Sequence, residues 1–284
     1  MNLQLTESNV REIFDDVKDY LLDIENLYPD NNSVIAILGG QSASGKGNMI
    51  SSFRNLFPEK VFLSINGDIY RSYHPYHEEI VKNNVNCYSA ITQNISNIFT
   101  QELLNIAFKN KLNVIVEGTM RNSEITINTA KRFKENGFEV HACVIAAHPA
   151  VTELGIYRRY QEQVDKFGFG RLADIRVHNE AVSGLLNSVN QLYQYKLADF
   201  IHVYSYLAEK KIVSIILKEN GNWNTNIFPS VFIEKERNLQ QSNIDFIINE
   251  IKSGEEILKT IDSSLKNKVA KCIDKLSRLL NNNK

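Results

Sequence analysis

The chain has 284 residues, 43% of them hydrophobic and 23% charged, with a formal net charge of -1. Such a chain can bury a sizeable core, in one large domain with an appendage or in two smaller domains. It carries no overall basic field to recruit nucleic acid or a membrane surface, and no apolar run approaches the ~18 residues of a spanning helix.

Cys87, Cys143 and Cys272 lie far apart and show neither metal nor redox spacing. The N-terminal stretch MNLQLTESNV is polar and has no signal-peptide core. The chain therefore reads as reduced and cytoplasmic.

Val10, Ile13, Phe14, Val17, Leu21 and Ile24 recur at helical spacing, with Ser8 as the expected N-cap and Pro29-Asp30-Asn31-Asn32 as the break. The apolar run Val34 to Leu38 then leads into Gly39-Gly40-Gln41-Ser42-Ala43-Ser44-Gly45-Lys46-Gly47 and an amphipathic stretch with Met49, Ile50 and Phe53. This is strand, glycine loop and helix, with the G-x-x-x-x-G-K spacing of a phosphate-binding loop from Gly40 to Lys46. Gly40 and Gly45 allow backbone angles that side chains would block. The amides of Gly40 to Gly47 can then converge on a phosphate at a helix N-terminus, and Lys46 adds a point charge. The motif ordinarily ends in Ser or Thr, whose hydroxyl binds magnesium; here Gly47 stands in that place. The other reading of the stretch is a glycine-rich turn without a ligand.

Val61 to Ile65 is the next strand, ending at Asn66-Gly67-Asp68. A long helix is expected over Cys87 to Lys109, then a strand Val114 to Val116 that stops at Glu117-Gly118-Thr119. A helix from about Ser123 closes at Gly137, a C-terminal glycine cap. Val140 to Ala147 is a strand, Val151 to Tyr160 a helix running into polar sequence, and His178 to Leu197 another helix. Phe200 to Tyr204 and Ile212 to Leu217 are two further strands. Alternation at these lengths predicts an α/β fold with a parallel sheet covered on both faces, whose ligands sit at the carboxyl ends of the strands. Lys46, Asp68 and Glu117 follow three such ends. Beyond Asn224, Gly221, Pro229 and the polar stretch Glu234 to Ser242 act as breaks, and Ile244 to Ile251 and Ile257 to Leu280 form two helices. The expected division is residues 1–224 and a C-terminal helical appendage, 225–284, that packs on the core.

Asp68 reads equally as a carboxylate that takes the proton of an acceptor hydroxyl and as an Asx-turn or N-cap residue. Glu117, directly after a buried strand, needs a partner; it could hold magnesium waters or a substrate hydroxyl, or form a salt bridge to Arg121. Arg158, Arg159, Arg171 and Arg176 flank Phe167-Gly168-Phe169-Gly170. Arginines on a mobile segment suit a transferring phosphoryl group, while a solvated helix face is the ordinary alternative. His74, His148 and His178 show no ligand spacing and read as surface or supporting residues.

GGQSASGK, INGDIYRSYHP, IVEGTMR and YRRYQ with Arg171, in this order, resemble the zeta toxin family over about residues 1–205. The Asp-x-x-x-x-x-His-Pro and Glu-Gly-Thr-x-Arg pieces are more specific than the glycine loop itself. The resemblance implies a P-loop kinase-like, mostly parallel sheet flanked by helices. It implies phosphorylation of UDP-N-acetylglucosamine on the sugar 3′-hydroxyl, which depletes cell-wall precursor, with ATP as co-substrate and Mg2+ as the metal. It also implies Lys46 as the phosphate lysine, Asp68 as general base, Glu117 with Thr119 and Arg121 at the acceptor, and Arg159 and Arg171 on the ATP phosphates. A cognate antitoxin protein becomes a candidate partner. Gly47 departs from the pattern and puts metal affinity and turnover in question. The helical tail after Asn224 lies outside the resemblance. Two rivals stand beside this reading: a P-loop kinase of another small hydroxyl acceptor, and a nucleotide-binding regulatory protein without turnover.

Overall fold

The structure, a computed structural model, describes residues 3–23, 26–83, 87–208 and 210–282. Strands β1 (Val34–Gly39), β2 (Phe62–Asn66), β3 (Asn113–Glu117), β4 (Glu139–Ala146), β5 (Phe200–Ser205) and β6 (Lys211–Ile216) form one sheet in the order β2-β3-β1-β4-β5-β6. The first five are parallel, and β6 runs antiparallel to β5. All six residues of β1 are buried, because a central parallel strand has helices on both faces and needs apolar side chains on both.

The helices are α1 (Glu7–Asp23), α2 (Lys46–Arg54), α3 (Gly67–Tyr70), α4 (His77–Asn83), α5 (Tyr88–Ile91), α6 (Gln93–Lys109), α7 (Ser123–Lys134), α8 (Pro149–Phe167), α9 (Ile175–Gln194), α10 (Pro229–Ser242), α11 (Ile244–Thr260) and α12 (Ser263–Asn282). On one sheet face Ile35, Val114, Val144 and Val203 pack with Phe99 of α6 and Leu185 of α9. On the other, Ala36, Leu38 and Cys143 pack with Met49 and Phe53 of α2. A third cluster joins Leu154 and Tyr157 of α8 to Ile257 of α11 and Val269 and Leu276 of α12.

Several expectations change in detail. The cap of α1 is Thr6, whose hydroxyl accepts from the Asn9 amide at 3.3 Å, and Ser8 lies inside the helix. Phe14 packs edge-on to Phe99, ring centroids 5.1 Å apart; Ile24 lies outside the described residues. The helix expected over Cys87 to Lys109 is broken at Thr92 into α5 and α6. The polar stretch Glu234 to Ser242 lies within a helix, α10, because its polar residues serve strand ends. Gln240 Nε2 donates to the Ala146 carbonyl at 2.5 Å, and Gln240 Oε1 accepts from the His148 amide at 2.7 Å. Arg237 Nε donates to the Ala147 carbonyl at 3.1 Å, and the Ser205 hydroxyl donates to Glu236. The run expected as one helix from Ile257 to Leu280 is divided at Asp262, which accepts from the Ser264 amide at 2.8 Å. His74 and His178 are buried, not superficial, and His148 caps α8 by accepting from the Ala150 amide at 3.2 Å.

Among the described residues, no helix is long and apolar enough to cross a membrane.

Candidate active site

The registers bring the strand ends together. Leu38 of β1 lies opposite Glu117 of β3, and Glu117 opposite Asn66 of β2. The loops that follow these strands therefore share one rim. A cleft of about 770 Å3 opens there, lined by Lys46, Asp68, Glu117, Thr119, Arg121, Arg159 and Arg171 among others.

The glycine loop is held tightly. A Cβ on Gly40 would stand 2.5 Å from the Ser44 hydroxyl and 2.6 Å from Ile145, and Gly45 takes a φ of +77° just before α2. Both positions need glycine for these physical reasons. Ala43 adopts a φ of +61°, a conformation disfavoured for a residue with a side chain. Gln41 is fully buried and donates to the Ala147 carbonyl at 2.8 Å and the Thr152 hydroxyl at 3.3 Å, tying the loop to the start of α8. Gly155 of α8 lets that helix approach Ala43; an added Cβ would lie 3.0 Å from the alanine methyl.

Lys46 Nζ folds back to donate to the carbonyls of Gly40, at 3.0 Å, and Gln41, at 3.3 Å. Burial lowers its pKa, with Glu117 and Asp68 acting against the shift. Ser42 and Ala43 also line the main cleft. Ser44 and Gly45 face a second cavity of about 330 Å3, with Asn48, Tyr204, Tyr206 and Phe246. The buried Ser44 hydroxyl has no hydrogen-bond partner. Gly47 is exposed, and a Cβ there would meet nothing within 4 Å.

The cap of α3 is Asn66, whose Oδ1 accepts from the Asp68 amide at 2.9 Å. The Asp68 side chain is thereby released from any capping duty. Its Oδ1 accepts from Arg71 Nε at 3.2 Å, and its Oδ2 lies 2.7 Å from Arg171 Nη1. Burial works to raise the Asp68 pKa, but Arg171 and then Arg71 outweigh it and hold the carboxyl below its ordinary value. Glu117 accepts from Asn66 Nδ2 at 2.7 Å. Burial raises its pKa, with Lys46 opposing and Asp68 reinforcing the shift. The alternative Glu117–Arg121 pair does not form; Arg121 instead faces Glu180 at 3.3 Å.

Of the four arginines near the glycine segment, two reach the cleft. α8 ends at Gly168, where φ is +77°. The chain then turns back so closely that a Cβ on Gly170 would lie 2.4 Å from the Tyr160 carbonyl. The Arg171 amide donates to Gln163 at 2.8 Å, which aims the Arg171 side chain at Asp68. Arg159 projects into the cleft from α8. Arg158 is turned away, to Glu250 and Ser253, both at 3.2 Å. Arg176 is exposed beside Asp174.

Arg71 carried no role in the sequence reading, yet it is buried within the cleft wall and contacts Asp68 directly. Its position one helical turn after Asp68 was the available signal. Asn66, which both caps α3 and holds Glu117, was likewise passed over; an Asn just before a helix was the clue. Together the cleft offers cationic groups for a polyanion and a carboxylate for a hydroxyl proton.

The Zeta toxin family model matches residues 18–222. Toxin PezT of Streptococcus pneumoniae is 25% identical over 172 residues, covering 60% of this chain and 68% of that protein. Toxin zeta of Streptococcus pyogenes is 25% identical over 227 residues, covering 80% and 72%. A solved chain from the PezAT chromosomal toxin–antitoxin system of Streptococcus pneumoniae superposes with a TM-score of 0.74 at 18% identity, covering 91% of this chain and 99% of that one. The last likeness concerns the fold: a mostly parallel sheet flanked by helices.

Proposed function

The chain belongs to the zeta toxin family, whose members are kinases, and from that premise we propose that it transfers the γ-phosphoryl group of ATP to the 3′-hydroxyl of UDP-N-acetylglucosamine. The observation that carries this reading is the convergence of Lys46, Asp68, Glu117, Arg159 and Arg171 on one cleft at the ends of β1, β2 and β3.

In this assignment the loop amides from Gly40 to Gly47 and Lys46 hold the phosphates, and the nucleoside lies in the smaller cavity beyond Ser44 and Gly45. Glu117, Thr119 and Arg121 hold the acceptor. Asp68 takes the proton from its hydroxyl while the new oxygen–phosphorus bond forms. The bond from the γ-phosphorus to the bridging oxygen breaks, and ADP leaves. Arg159 and Arg171 neutralise charge on the phosphoryl group in transfer. Arg171 takes one lone pair of Asp68 Oδ2, and the second is available to the acceptor hydroxyl.

The unpartnered Ser44 hydroxyl is the loop group that would hold a magnesium ion. When bound, it neutralises charge on the β- and γ-phosphates. The nucleotide substrates and the free thiols support a cytoplasmic reaction. The relationship to a toxin named from a toxin–antitoxin system supports a cognate antitoxin as partner. The test is incubation with ATP, magnesium and a panel of UDP-sugars. A product heavier by one phosphoryl group on UDP-N-acetylglucosamine supports the assignment. Transfer to a different hydroxyl compound would reassign the acceptor. Nucleotide binding without transfer would make the chain a regulator.

A further inference from the structure

Asp68 is gripped at both oxygens, but the two grips differ in kind. Arg171, at Oδ2, comes from the loop after α8, and its Nε is buried without a partner. Arg71, at Oδ1, is 5% exposed and engaged through all three of its nitrogens. Its Nη1 donates to the Ser89 carbonyl at 2.9 Å and the Thr92 hydroxyl at 3.0 Å, and its Nη2 to Gln93 Oε1 at 3.1 Å. The Thr92 hydroxyl in turn donates to the Tyr88 carbonyl at 2.6 Å. Gln93 Nε2 donates to Asn97 at 2.6 Å, and both Gln93 and Asn97 line the cleft. The break between α5 and α6 at Thr92 is what turns these acceptors towards Arg71. A buried arginine with acceptors fixed by two helices is a rigid fork.

We propose that Arg71 is a positioning residue, which fixes Asp68 Oδ1 against the α5–α6 junction and so sets the direction in which Oδ2 meets the acceptor hydroxyl. The proposal rests on the kinase reading of the cleft. Two consequences follow from the geometry. Without Arg71 the carboxylate rotates, and misplacement of a reacting group by about 1 Å costs on the order of 10²-fold in rate. Arg71 also helps to keep Asp68 ionised. The groups facing this carboxylate are Arg71, Arg171 from the loop after α8, Lys46 from α2, Glu117 from β3 and Tyr88 from α5. Removing one of the cations raises the Asp68 pKa, so the acid limb of the rate profile moves to higher pH.

The experiment is single-turnover phosphorylation of UDP-N-acetylglucosamine by the full chain, across the acid range of pH, with thermal unfolding on the same preparations. Arg71→Met is expected to lower kcat by on the order of 10²-fold, leave the KM for ATP unchanged, and move the acid limb upward. Arg71→Lys restores the charge and returns the limb, with only part of kcat recovered. If Arg71→Met does not fold, Thr92→Val removes one anchor of the guanidinium and keeps its charge. That variant is expected to lose rate with an unmoved acid limb and an unchanged KM for ATP. A folded Arg71→Met or Thr92→Val enzyme with wild-type kcat overturns the proposal. A wild type that transfers no phosphoryl group overturns the kinase reading itself, a result distinct from either variant outcome.

Discussion

At the scale of single residues, the glycine loop separates what is needed for shape from what is needed for chemistry. Gly40 and Gly45 are fixed by close approach and by a left-handed backbone. Lys46 serves the loop only through its two carbonyl contacts. Lys46→Ala is therefore expected to keep the fold, with an unfolding temperature near that of the wild type, and to abolish phosphoryl transfer; retained transfer in a folded variant would remove the phosphate-binding role. Gly47 is different again, since nothing surrounds its missing side chain. Gly47→Ser or Gly47→Thr fits without displacement and supplies a hydroxyl at the place where this motif carries its magnesium ligand. The expected result is a lower magnesium concentration for half-maximal rate. An unchanged magnesium dependence would mean that another oxygen already fills that position. These features were legible because they are local: a spacing of seven residues, a glycine, a lysine. The Asp68–Arg171 pair was not legible as a contact. Its partners are joined only by the folded chain, and no local spacing encodes such a meeting.

Among the elements, sheet and helices were read from periodicity wherever apolar residues face the core. β1, β2 and β3 are such runs, and their carboxyl ends lead to the residues singled out from sequence, Lys46, Asp68 and Glu117. α10 escaped because its inward side is polar. Glu236, Arg237 and Gln240 are buried there, Arg237 and Gln240 spent on backbone groups after β4 and Glu236 on the Ser205 hydroxyl at the end of β5. A pattern search for apolar spacing reads such residues as solvent-facing. The same fact makes a prediction. Gln240→Leu leaves the Ala146 carbonyl and the His148 amide without their side-chain partner. An unpaired buried polar group costs roughly 1–3 kcal/mol, so the unfolding temperature should fall measurably while the KM for ATP stays within error. An unchanged unfolding temperature would mean that α10 does not hold the end of β4.

For the molecule as a whole, the third cluster binds α11 and α12 to α8, the helix that carries Arg159 and leads to Arg171. Arg158 joins the same arrangement through Glu250, so the C-terminal helices brace the element that presents the cleft arginines. The family model ends at residue 222, and the sequence beyond it offered no motif from which this bracing could be read. The central claim, that Asp68 is the base of a kinase, is tested most directly by one paired measurement on Asp68→Asn: single-turnover phosphorylation of UDP-N-acetylglucosamine beside ATP binding on the same preparation. The amide keeps the shape and cannot take the proton, and a general base contributes typically ~10²–10⁴-fold in rate. The account predicts a rate loss of that order with ATP affinity nearly unchanged. A folded Asp68→Asn protein that transfers phosphoryl groups at the wild-type rate would contradict it.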